Sequence, residues 1–221
     1  MKKTLIPAIL AYTHNEFKEQ LEFFDDYFSR VHIDIMDNTF VSNASYADVA
    51  MVKKMKSTAT FELHLMVNDP LKYFQLWKSE KRLKNVIIHI EIFGKNKKDL
   101  YDIIKVIKRS KKRVTLALNP GTPISKILEF IHLIDQVLIM GVEPGWSGQK
   151  FKVSVLTKIK ALKQHYPKLS VAIDGGVTLE SIPALLDAGV DTVNTNSLIM
   201  KYKKLASRIP EIKKSVTDYG K

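Results

Sequence analysis

Residues 30–37 read Arg30-Val31-His32-Ile33-Asp34-Ile35-Met36-Asp37. A period of two in that run places His32, Asp34 and Met36 on one face of an extended strand and Asp37 on the other. Just upstream, Phe17, Leu21, Phe24 and Phe28 recur at helical spacing. Helical patterns alternating with β-rich runs are the signature of parallel βα architecture, and the alternation continues along the chain. Strands are expected at Thr4 to Leu10, Arg30 to Met36, Thr60 to Val67, Asn85 to Glu91, Arg113 to Leu118, Gln136 to Gly141, Leu169 to Asp174 and Asp191 to Thr195. Helical spacing recurs at Leu100, Ile103, Ile104 and Ile107, at Val155, Ile159 and Leu162, and at Leu179, Ile182 and Leu186; it is weaker from Tyr46 to Lys56. Eight units in 221 residues average about 28 residues each, which fits a compact (β/α)8 TIM barrel with few insertions. A doubly wound open sheet would announce itself with a Gly-rich turn after the first strand, and Pro7-Ala8-Ile9-Leu10-Ala11 has none. No linker interrupts the alternation, so residues 1–221 are expected to form one barrel domain.

Hydrophobic residues make up 45% of the chain and charged residues 26%, which excludes a disordered polymer and membrane spans. Cysteine is absent, so disulfides and thiolate zinc sites are impossible and any metal must be held by His, Asp or Glu. The opening MKKTLIPAIL superficially resembles a signal peptide, but Tyr12, Thr13, His14 and Asn15 follow without a small-residue cleavage pattern. It is read as the first strand, and a cytoplasmic location is expected. The net charge is +12, which suits solubility or attraction of phosphorylated metabolites as well as it suits nucleic acid. With no RNP, zinc-finger or KH pattern, neither nucleic acid nor a membrane is expected as a partner. The final 22 residues carry seven Lys+Arg and two Asp+Glu, and Leu205, Ile209, Ile212 and Val216 are spaced as one apolar stripe. A basic helix docked by that stripe is expected from about residue 200.

In a barrel the active site lies at the carboxyl ends of the strands, so polar residues there are informative. His32 and Asp34 share a face of the second strand, His64 and Met66 a face of the third, and the seventh ends Val171-Ala172-Ile173-Asp174 before Gly175-Gly176. Two imidazoles and two carboxylates from three strands can converge on one divalent cation, and this donor set suits zinc, iron, manganese or cobalt. A single inward histidine is more often a hydrogen-bonded structural residue than a ligand. Four such groups together favour the metal site, because burying unpaired ionisable groups costs several kcal/mol each. His89 and Glu91, alternate residues of the fourth strand, are either supports for the site or, the preferred reading, structural polar groups.

Six of the nine glycines lie between Gly121 and Gly176, five of them in the turns Asn119-Pro120-Gly121-Thr122-Pro123, Pro144-Gly145-Trp146-Ser147-Gly148-Gln149 and Gly175-Gly176. Glycine lets backbone N–H groups approach an anion, and turns after the last strands of such barrels commonly form a phosphate cup.

Taken in order, these motifs resemble the ribulose-phosphate 3-epimerase family, metal-dependent (β/α)8 enzymes that interconvert ribulose 5-phosphate and xylulose 5-phosphate. The resemblance runs from about Ile6 to Ser197. It rests on His32-Ile33-Asp34-Ile35-Met36-Asp37 with Phe40-Val41 and Asn43, on His64-Leu65-Met66-Val67, and on Leu118-Asn119-Pro120-Gly121-Thr122-Pro123. Val142-Glu143-Pro144-Gly145 with Gly148-Gln149, and Asp174-Gly175-Gly176, complete it.

It implies one divalent metal ion held by His32, Asp34, His64 and Asp174, with Asp34 and Asp174 as the acid/base pair on opposite faces of the substrate. It further implies substrate and phosphate contacts at His64, Gly145, Trp146, Ser147, Gly148, Gly175, Gly176, Asn196 and Ser197, and a cap of Met36, Met66 and Met140 over the enediolate. The partner would be a phosphorylated ketose, and the chain a homo-oligomer, as family members often are.

The sequence departs from the family pattern at several points. Ala8 stands where the first strand usually carries a substrate-contacting serine, Ser147 replaces a glycine, and Asn196-Ser197 replaces Gly-Ser. Asn38 and Ser42 replace a usual Gly and Pro. Ser147 would be strained if its backbone needed positive φ. The substituted periphery keeps a second phosphoketose, such as allulose 6-phosphate, as the alternative substrate, and a non-catalytic phosphometabolite-binding barrel as the alternative class.

Overall fold

The strands form in chain order, β1 (Thr4–Ile9), β2 (Arg30–Met36), β3 (Thr60–Met66), β4 (Leu83–His89), β5 (Arg113–Leu118), β6 (Gln136–Met140), β7 (Ser170–Asp174) and β8 (Thr192–Thr195). Each pairs in parallel with its successor, and β8 closes onto β1, so the sheet is a complete barrel. The structure, a computed structural model, describes residues 2–94 and 96–219, apart from the side chains of Lys204 and Leu205. The fourth strand ends at His89, so Glu91 falls in a 3-10 turn at Ile90–Phe93 rather than in the strand.

Strand residues alternate between two environments. Ile33, Ile35, Leu63, Leu65, Val86 and Ile88 face outward into the layer shared with the helices, which is why the strands are rich in apolar residues. The inward set is stratified. At the amino ends Thr115 bonds Asn85 and Gln136, and Gln136 in turn bonds Ser170 and Thr192. Above this polar ring sit Ile87, Ala117, Leu138, Met140 and Ala172. The ionisable cluster lies on β2, β3 and β7, with Asp174 in register beside Met140.

Helices cover the outside: α1 (His14–Asp25), α2 (Val49–Lys54), α3 (Pro70–Trp77), α4 (Lys97–Arg109), α5 (Val155–His165), α6 (Ile182–Asp187), α7 (Ser197–Lys201) and α8 (Ile209–Thr217). Thr13, Asp48, Asp69 and Asn96 cap the first four, each side chain accepting a backbone N–H of the first turn. The connection after β5 has 3-10 turns at Ile124–Lys126 and Leu128–Leu133 instead of an α-helix. Its apolar residues Ile124, Ile127 and Phe130 are three apart, which aligns them on a 3-10 turn.

The basic C-terminal helix begins later than the charge pattern suggests. Residues 197–201 form α7, Lys203–Arg208 a 3-10 turn, and α8 starts at Ile209. Pro210 accounts for the break, because proline fits a first turn but cannot continue a helix from upstream. Ile209, Ile212 and Val216 are buried as the stripe requires, whereas the side chain of Leu205 lies outside the described residues. Lys213 donates to the Tyr27 carbonyl at 2.9 Å and lies over the Phe28 ring, pinning α8 to the end of α1.

Candidate active site

The register of β2 on β3 sets His32 opposite Glu62, Asp34 opposite His64 and Met36 opposite Met66. Barrel closure then brings Asp174, the last residue of β7, to the same place. Asp34 Oδ1 lies 3.1 Å from His32 Nε2 and 3.0 Å from His64 Nδ1, and Asp174 Oδ2 lies 3.8 and 3.4 Å from the same nitrogens. All four residues are buried, and one ligand atom from each lies within 4.8 Å of the others. Donors at about 2.0–2.1 Å from a tetrahedral ion lie roughly 3.3–3.4 Å from one another, and the separations of 3.0 to 3.8 Å here bracket that value, so small shifts would seat an ion.

The donor chemistry fits a divalent metal. The far nitrogen of each histidine is already engaged: His32 Nδ1 by Glu62 Oε1 at 2.8 Å, and His64 Nε2 by His89 Nε2 at 2.8 Å. An outer partner of this kind fixes the tautomer and leaves the facing nitrogen for the ion. Glu62 also accepts from Asn194 Nδ2 at 3.1 Å, a bond between β3 and β8 across the barrel interior.

The electrostatics follow from these contacts. Burial alone would push the His32 imidazolium down, but Asp34, Glu62 and Asp174 outweigh it and hold its pKa well above the ordinary 6.5. His64 is likewise raised, burial being outweighed by Asp174 and Asp34. Burial opposes the Asp34 charge, yet His32 and His64 hold its carboxyl far below the usual carboxylate range. Glu62 is lowered against its burial chiefly by His32.

Above the cluster opens a narrow cleft. Asp34 and Asp174 line it, as do Met36, Met66 and Met140, and so do Gly145, Trp146, Ser147, Gly148, Gly175, Gly176, Asn196 and Ser197. His64 is fully buried and absent from the cleft wall, its two ring nitrogens engaged inside the cluster. Gly176 has φ +69, and a Cβ there would lie 2.9 Å from the backbone of Phe151, so only glycine suits this wall.

The departures from the family pattern resolve individually. Asn38 takes φ +60, a left-handed conformation that asparagine tolerates better than most residues. Ser147 is not among the positive-φ residues, so the expected strain is absent. Asn196 is right-handed at φ −94. Its Nδ2 donates to the Ala8 carbonyl at 2.8 Å and to Gln20 Oε1 at 3.1 Å, and its Oδ1 accepts from Ser147 Oγ at 3.4 Å. Glu62, Asn194 and Gln20 were not singled out by sequence. Glu62 stands two residues before His64, where the same period of two that marked His64 would have found it.

A closed (β/α)8 barrel that gathers imidazoles and carboxylates beneath a glycine-rich cleft has the layout of a barrel enzyme. A profile described as the ribulose-phosphate 3 epimerase family matches residues 4–200, and the chain belongs to that family. Ribulose-phosphate 3-epimerase of Schizosaccharomyces pombe is 32% identical over 219 residues, covering 96% of this chain and 92% of the relative. The cytoplasmic isoform of Oryza sativa subsp. japonica is 32% identical, covering 84% and 82%, and the Bacillus subtilis enzyme is 30% identical, covering 84% and 86%. Membership supports an epimerase, an isomerase-class enzyme. Among solved structures, 3-hexulose-6-phosphate synthase from Salmonella typhimurium superposes with a TM-score of 0.71 at 13% identity, covering 98% of this chain and 99% of that one. That likeness shows the barrel fold. Among the described residues no helix is long and apolar enough to cross a membrane.

Proposed function

We propose that this chain is a metal-dependent epimerase that interconverts D-ribulose 5-phosphate and D-xylulose 5-phosphate by two-base proton transfer at C3 through an enediolate. The observation that supports this most is the pair Asp34 and Asp174, carboxylates from β2 and β7 that line one cleft beside the same two histidines. One carboxylate takes the C3 proton from one face of the ketose, and the other delivers a proton to the opposite face; the roles exchange with reaction direction. His32 and His64 hold these carboxylates in place. A divalent cation held by His32, Asp34, His64 and Asp174 would supply Lewis-acid stabilisation of the developing oxyanions; zinc, iron, manganese and cobalt all suit the donors. Met36, Met66 and Met140 form an apolar, polarisable cap over the reacting carbons. The turns at Gly145–Gly148 and Gly175–Gly176, with Asn196 and Ser197, bind the phosphate, and Trp146 stands half-exposed at the rim. The chain works as a cytoplasmic homo-oligomer whose partner is the phosphorylated ketose.

A second reading, an epimerase of another phosphoketose such as allulose 6-phosphate, is favoured by one observation. Ala8 supplies no hydroxyl, and the Asn196 side chain spans the gap to its carbonyl. Comparing kcat/KM on ribulose 5-phosphate and allulose 6-phosphate decides between them. A larger value for ribulose 5-phosphate supports the first reading, and the reverse order the second. Binding of both without turnover would leave a non-catalytic barrel.

A further inference from the structure

His64 is held from behind by a chain of groups that the proposed chemistry does not use. His89, fully buried on β4, lies with Nε2 2.8 Å from His64 Nε2, and its Nδ1 lies 3.3 Å from Glu91 Oε2. The other oxygen of Glu91 accepts the Asn119 backbone N–H at 2.7 Å. The two imidazole planes are 16° apart with centroids 5.0 Å apart. That separation is the nitrogen–nitrogen distance plus one ring radius on each side. The rings therefore meet edge to edge, nearly coplanar, in line for one N–H···N bond.

The direction of each bond follows from donor and acceptor chemistry. An ionised Glu91 can only accept, so His89 Nδ1 donates to it. A neutral His89 then carries its lone pair on Nε2, which accepts from His64 Nε2–H. His64 is left with Nδ1 toward Asp34 and Asp174. Glu91 also lines a second cleft, of about 550 Å³, away from the first, and its side chain is 18% exposed. Burial opposes its charge, but the bonds from His89 and the Asn119 N–H outweigh it and hold the carboxyl below its ordinary value, and the Asn119 N–H fixes its rotamer.

We infer that His89 and Glu91 are positioning residues: they form a relay, Glu91–His89–His64, that fixes the His64 tautomer and aims Nδ1 at the metal site. The inference rests on the metal reading above. It also assigns the two histidines different supports. His32 is braced directly by a carboxylate, and His64 through an intervening imidazole.

The test compares wild type, Glu91→Ala and Glu91→Gln by zinc affinity, using chelator competition, and by ¹⁵N–¹⁵N coupling across the His64–His89 hydrogen bond in labelled protein. Glu91→Ala is expected to weaken zinc about tenfold or more and to diminish the coupling. Glu91→Gln, which keeps an acceptor oxygen, is expected to recover most of both. A Glu91→Ala protein with wild-type zinc affinity and unchanged coupling would overturn the relay, even if its melting temperature fell. Wild-type protein that binds no zinc would remove the metal reading instead. The coupling in metal-free protein then decides the relay: loss in Glu91→Ala supports it, and retention overturns it.

Discussion

Asp34 Oδ1 lies within hydrogen-bond distance of two imidazoles at once, so protonated histidines stabilise its charge. His32 and His64 have raised pKa values. Their contribution to the stability of metal-free protein is therefore complete below the ordinary histidine value of 6.5 and fades as pH rises through the higher folded values. The Asp34 contribution has the opposite sign, present at neutral pH and lost on strong acidification. Zinc needs the imidazole lone pairs, so its uptake should release protons and its affinity should climb with pH above 6.5. Isothermal titration in buffers of different ionisation enthalpy reads both effects; pH-independent affinity would mean that the histidines are not ligands. Asp34→Asn and Asp174→Asn should each keep a wild-type circular dichroism spectrum while turnover falls about 10²- to 10⁴-fold. Ala8→Ser should raise kcat/KM on the preferred ketose by no more than about tenfold, the worth of one neutral hydrogen bond at about 0.5–1.5 kcal/mol; a loss would mean that Asn196 has taken over the position. His32, Asp34, His64 and Asp174 were legible because a period of two and a strand end locate a side chain without any tertiary knowledge. Their partners were not. Asn194 is 162 positions from His32, and only barrel closure makes them neighbours.

Among the elements, strands were the most readable, since their outward faces pack against the helices and are apolar. Helix α3 was missed. Its buried Pro70, Phe74 and Trp77 are correctly spaced, but the exposed Leu71 and Leu76 blur the stripe. The 3-10 turns after β5 escaped for a related reason, a spacing of three that fits no α-helical face. The β7–α6 turn carries an expectation of its own. Gly176→Ala forces an L side chain to φ +69 against the backbone of Phe151, a strain of about 1–3 kcal/mol. Thermal melting should fall by several degrees, and KM for the phosphorylated ketose should rise as the cup wall shifts. An unchanged KM would remove this turn from substrate binding.

At the scale of the molecule, eight repeats of one unit made the barrel legible before any contact was known, whereas the meaning of the charge was not. A net charge of +12 is a sequence-level fact with several uses, and the phosphorylated ketose proposed as substrate would select one of them. Steering of an anionic substrate acts on encounter, so kcat/KM should fall as ionic strength rises while kcat changes little. Equal insensitivity of both would assign the charge to solubility. The two-carboxylate chemistry is tested most directly by converting ribulose 5-phosphate in D₂O, with protein stripped of metal and reloaded separately with zinc, manganese, iron or cobalt, and Asp174→Asn as the blank. At low conversion, deuterium should enter C3 of the xylulose 5-phosphate product and not the recovered substrate, because separate carboxylates serve the two faces. Equal labelling of substrate and product, or no exchange above the blank with any metal, would contradict it.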